Sequence, residues 1–108
     1  MKVSDLLNNG FLEITLPDGD REIDGVYIGD LLSWVMGRAS ADNAWITIMS
    51  NINVIAVATL ADTACVILAE DVDLPEDVKA QAEIKDINVL KSPLPIYETA
   101  VRLHELLS

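Results

Sequence analysis

Ser50, Asn51, Asn53, Glu70, Lys91 and Ser92 are the side chains of this 108-residue sequence whose types and spacing come nearest to a binding site. They lie in three short segments, Ser50-Asn51-Ile52-Asn53, Glu70-Asp71 and Lys91-Ser92, each directly after an apolar run that reads as a strand. Hydroxyls and amides can hydrogen-bond a polar ligand, and Lys91 adds the single positive charge. Two of the segments run into helix N-termini, where free amides and the helix dipole favour an anion. Glu70 and Asp71 oppose an anion unless it carries a cation with it. The same residues also suit plain helix caps and turns, and both readings stay open at this point.

Catalytic groups do not assemble. His104 is the only histidine and lies at the margin of the apolar face made by Ile96, Ala100, Leu103 and Leu107. Cys65 is the only cysteine, with no basic residue near it in sequence to lower its pKa, so it reads as a small buried hydrophobe. One histidine, one cysteine and carboxylates without ligand spacing make no metal site. The glycines at 10, 19, 25, 29 and 37 form no phosphate-binding loop. Glu22 with Asp24, and Asp71 with Asp73, read as solvated loop charges. No catalytic residue, metal or cofactor is expected.

The three segments need a scaffold that turns them the same way. Trp45-Ile46-Thr47-Ile48, Cys65 to Ala69 and Val89-Leu90 begin twenty-odd residues apart. Helices are expected between and after them, over about 54–61, 76–86 and 96–107, with Pro75 and Pro95 opening the last two. That spacing leaves room for crossover helices, so the strands should be parallel. Nearly continuous apolar runs fit strands buried on both faces. The fold expected is α/β: a three-layer α/β/α arrangement about a small, mainly parallel sheet, with 1–108 as one domain. Ligands in such sheets sit beyond the carboxyl ends of the strands, where the three segments fall. Upstream, residues 3–9 read as a short helix, 11–16 as a strand, Pro17 to Asp20 as a turn and 24–28 as another strand.

The stretch from Gly25 to Gly37 organises the rest. Its apolar run switches at Asp30, a good N-cap, into a helix that Gly37 should close. Leu31, Leu32, Trp34, Val35 and Met36 cover most of that helix with apolar surface. A helix apolar on more than one side is buried on more than one side. Tyr27, Leu31, Trp34, Val35 and Met36 are therefore the candidate interface residues. Burying one Trp and a few aliphatics at about 25 cal/mol per Å2 gives several kcal/mol before association costs.

Hydrophobic residues make up 51% and charged residues 23%, a globular balance. Apolar runs fall short of the roughly 18 residues of a membrane span, and one cysteine fits a reducing compartment, so a cytoplasmic protein without membrane contact is expected. Eighteen acidic residues face seven scattered basic ones, a net charge of −11. Nucleic acid is a poor partner for such a surface, whereas a basic protein is not.

Asp20-Arg21-Glu22-Ile23-Asp24-Gly25, Tyr27 to Gly37, Trp45 to Ile48, Asn53 to Ala58 and Val66 to Glu70 together resemble the DRTGG domain in its small stand-alone form. The resemblance covers about residues 20–107, with Gly29 to Gly37 its most specific part. It implies a fold similar to the N-terminal domains of HPr kinase/phosphorylase and of Mur ligases. It also implies a domain that joins subunits or relays a signal rather than catalyses. Asp24 replaces the family's threonine and Val26 its second glycine, so a ligand needing close backbone approach there would meet a side chain. Ile52 lies where stand-alone members often carry a histidine. The expected function is a non-catalytic regulatory domain that forms a homodimer or higher homo-oligomer in a signalling or metabolic system. The alternative is a sensor of a nucleotide or phosphometabolite at the strand ends.

Overall fold

Ala44–Thr47 (β3) and Cys65–Leu68 (β4) are buried at every position, and that places them at the centre of the molecule. The computed structural model describes residues 1–108. Its sheet runs β1 (Leu12–Thr15), β5 (Val89–Lys91), β4, β3, β2 (Val26–Ile28). β2 to β5 are parallel and β1 is antiparallel to β5.

The pairing register sorts side chains into rows. Tyr27, Trp45, Val66 and Val89 lie side by side across four strands and face α1 (Leu32–Arg38), α2 (Ile52–Ala61) and α3 (Glu76–Ile84). One residue on, Ile28, Ile46, Ile67 and Leu90 form the opposite row. Ile46, Ile67 and Leu90 pack with Val3 and Leu6 of a 3-10 helix (Val3–Asn8) and Leu103 of α4 (Ile96–Leu107). Two cores on the two faces of one sheet make the three-layer α/β/α architecture that the strand spacing implies.

Some local details differ from expectation. Residues 3–8 form a 3-10 rather than an α-helix, because Val3 and Leu6, three apart, are the pair it buries. Asp30 does not cap α1. Its carboxylate accepts the Thr47 hydroxyl at 2.7 Å and the Ile48 amide at 3.0 Å, clamping the end of β2 to the end of β3. Leu31 takes the N-cap position without a side-chain bond, and the helix runs through Gly37 to Arg38. A Cβ on Gly37 would meet nothing within 4 Å. Gly37→Ala should therefore raise stability by about 0.5–1 kcal/mol, read as a higher urea midpoint with unchanged slope.

β1 joins the sheet through a bulge between Glu13 and Thr15. The Thr15 hydroxyl repairs the ladder there, donating to the Ile87 carbonyl at 2.7 Å and accepting the Val89 amide at 3.0 Å.

Candidate functional site

The loops after β3, β4 and β5 gather at one end of the sheet, as the parallel topology requires, but Asn51, Glu70, Lys91 and Ser92 already have partners within the chain. Asn51 caps α2, its side chain accepting the Asn53 amide at 2.9 Å. Asn53 is exposed in the first turn and Ser50 is half-buried ahead of it. Glu70 sits in the left-handed region at φ 60°, and its carboxylate accepts the Ile96 amide at 2.9 Å. The α4 N-terminus thus already holds an anion supplied by the chain itself.

Ser92 cannot take a ligand. It is 2% exposed, its hydroxyl shares a 2.7 Å hydrogen bond with Thr99 Oγ1, and it accepts the Leu94 amide at 3.2 Å. Lys91 is also engaged, at 2.8 Å from Asp73 and 3.2 Å from Asp71. The Asp73 hydrogen bond, helped by Asp71, holds its pKa above the ordinary value. Asp30, Glu70, Asp71 and Asp73 leave this end of the sheet acidic around one neutralised cation.

Cys65 lies fully buried in the core between the sheet and α4. Burial pushes its thiol up to about 12 from 9.0, against a weak opposing pull from Arg21. The unfolded chain loses that proton near pH 9 while the native protein keeps it until about 12, so stability is fully present below pH 9. Above pH 9 it falls by about 1.4 kcal/mol per pH unit. At neutral pH, a thiol reagent should label Cys65 only at the rate of unfolding. Labelling within mixing time in buffer would contradict the burial. His104 is exposed on α4, and no three His, Cys, Asp or Glu side chains come together as a metal site.

At the other end of the sheet Arg21 ties three segments together. Its guanidinium donates to the Asp42 carboxylate at 2.9 and 3.0 Å, to the Asp62 carboxylate at 2.8 Å and to the Asp62 carbonyl at 2.7 Å. Burial works against the charge, but the bonds to Asp62 and Asp42 outweigh it and raise the pKa. In the same segment Gly25, at φ 81°, passes so close to Asn43 that a Cβ would lie 3.0 Å from its Nδ2.

The second candidate surface surrounds β2 and α1. Leu31 is 57% exposed, Trp34 52% and Met36 48%, the Trp34 ring carrying the Arg38 guanidinium 3.8 Å above its centroid. Val35 is not part of this surface. It is 0% exposed because it points from α1 into the core over Trp45. Tyr27 is half-buried against the same core. Three residues outside the expected set are also exposed, on the opposite face of the sheet from α1: Val26, Ile28 and Ile48. They lie on the α4 side of the sheet, beyond what α4 covers. Strict alternation in Val26-Tyr27-Ile28 at a sheet edge was the available signal. A groove of about 350 Å3 between α2 and α3, lined by Ile52, Ala56 and Leu60, is a further uncovered apolar feature. Ile52 therefore opens onto that groove rather than onto the strand-end loops.

No family model matches the sequence. No curated protein matches it either. Among solved structures, the chain is similar to the CBS and DRTGG domains of the regulatory region of Clostridium perfringens pyrophosphatase, crystallised with the activator diadenosine tetraphosphate. The TM-score is 0.72 at 10% sequence identity, over 92% of this chain and 44% of that one. This chain thus spans less than half of its structural neighbour. At that identity the likeness is one of fold, the α/β architecture described above.

Proposed function

We propose that this chain is a non-catalytic regulatory domain that acts by self-association in a cytoplasmic signalling or metabolic system. The observation that carries the reading is the exposed pair Leu31 and Trp34, three residues apart on one flank of α1, with Met36 exposed on another flank, on an otherwise strongly acidic molecule. Single exposed apolar side chains are common on monomers, but a large exposed aromatic beside a second apolar side chain marks a contact surface. The fold shared with part of a pyrophosphatase regulatory region supports a regulatory role.

A dimer held by apolar burial has a melting temperature that rises with protein concentration. Two copies each carrying −11 repel one another, so added salt should tighten the association. A contact with a basic protein would instead weaken in salt. A melting temperature independent of both concentration and salt would count against self-association.

A second reading has one observation behind it: the structural neighbour was crystallised with diadenosine tetraphosphate. In this chain the strand-end loops are acidic and Asn51, Glu70, Lys91 and Ser92 are bonded within the chain, so that reading ranks lower. A melting-temperature increase with millimolar diadenosine tetraphosphate, at fixed protein concentration, would reverse the order.

A further inference from the structure

We infer that β2 is the centre of the self-association, and that two copies join edge to edge through antiparallel β2 strands into one continuous ten-stranded sheet. The inference rests on the self-association reading above and adds its geometry.

β2 is an edge strand bonded only to β3. The Ala44 amide donates to the Gly25 carbonyl at 3.0 Å, and the Gly29 amide to the Ile46 carbonyl at 3.2 Å. Gly25, Tyr27 and Gly29 therefore turn their backbone groups toward β3. By alternation Val26 and Ile28 turn theirs outward. That leaves two amides and two carbonyls in a row, ready to pair. The opposite edge, β1, is guarded by its bulge and by the exposed charge of Glu13. β2 has no bulge, no proline and no charge.

The outward groups choose the occupant and the register. A two-fold axis through Tyr27 sets Val26 opposite Ile28 of the second copy, and Ile28 opposite its Val26. All four outward groups of each copy are then satisfied in two hydrogen-bonded pairs. On the α4 side of the sheet, Val26 of each copy meets Ile28 of the other. On the other side α1, which follows β2 directly, brings Leu31 and Trp34, three apart on one flank, to the same junction. Val26, Ile28, Leu31 and Trp34 expose roughly 400 Å2 per copy, about half of the ~800 Å2 per partner of a standard stable interface. Asp24 lies opposite Asp30 of the second copy in this register, which agrees with tightening by salt.

Amide hydrogen exchange by NMR, on the wild-type chain at low and high concentration, tests the pairing directly. The expected result is fast exchange of Val26 and Ile28 amides in the dilute monomer and protection of both in the dimer. A dimer whose Val26 and Ile28 amides still exchange freely would overturn edge pairing while leaving self-association intact. A chain that stays monomeric at high concentration would overturn both. Ile28→Pro removes an outward donor without touching the β2–β3 ladder, so it should give a folded monomer with an unchanged circular dichroism spectrum. A folded Ile28→Pro that still dimerises would also overturn the pairing. If that variant does not fold, exchange on the wild type decides.

Discussion

Trp34→Glu should dissociate the self-associated form by roughly 30- to 1,000-fold in Kd, the ~2–4 kcal/mol of an aromatic hot spot. The residue sits on the outer flank of α1, half-exposed, with the Arg38 guanidinium of the same helix 3.8 Å above its ring. Nothing in the subunit core depends on it. The neighbouring Val35 does the anchoring, fully buried over Trp45. The substitution should therefore leave the monomer's thermal unfolding nearly unchanged, while light scattering reports half the mass. In a two-fold assembly it acts twice, and the introduced charge adds to the repulsion between acidic copies. A variant that keeps its mass would place the interface elsewhere. The groove beside Ile52, Ala56 and Leu60 is the next surface to probe.

Asn88→Ala should cost about 2–3 kcal/mol, lowering the melting temperature by roughly 10–20 °C. Asn88 is 2% exposed at the start of β5. Its amide nitrogen donates to the Asp18 carbonyl at 2.8 Å and the Ala64 carbonyl at 3.0 Å, and its oxygen accepts the Asp18 amide at 2.9 Å. One side chain thus fastens the β1–β2 turn and the entry to β4 onto the sheet. Alanine leaves the Asp18 amide and the buried Ala64 carbonyl without partners, while the Asp18 carbonyl keeps only the Arg21 amide at 3.2 Å. Asn88→Asp should be no better, since it loses both donated bonds and buries a charge. A melting temperature within a few degrees of wild type for both variants would show that the turn is fastened otherwise.

The parallel strands were legible in the sequence because they leave a local trace. Trp45-Ile46 and Val66-Ile67-Leu68 are apolar on both faces, and their spacing admits a crossover helix. Cys65 was legible for the same reason. Asn88 and Thr15 were not. Thr15 and its partners Ile87 and Val89, like Asn88 and its partner Asp18, lie 70 or more residues apart, and only the antiparallel return of β1 onto β5 brings them together. Asp30 misled for an instructive reason. Its position before a helix fits a cap, yet the unpaired Ile48 amide and Thr47 hydroxyl beside it offer a tertiary alternative with two bonds.

Three of the polar candidates show a similar limit. Residue type marks Glu70, Lys91 and Ser92 as able to bind something, while topology supplies Ile96, Asp71 with Asp73, and Thr99 as what they bind. For the apolar set the sequence indicated the right helix but not which of its residues face out. Val35 and Trp34 are adjacent, and a rotation of 100° per residue sends one into the core and the other into solvent.

Sedimentation equilibrium of the wild-type chain, from low micromolar to high micromolar concentration, bears most directly on the claim that association is what this domain is for. The account predicts a reversible monomer–dimer equilibrium that shifts toward dimer as salt is raised. A single species at the monomer mass of 11.8 kDa across the whole range, in low and high salt alike, would contradict it.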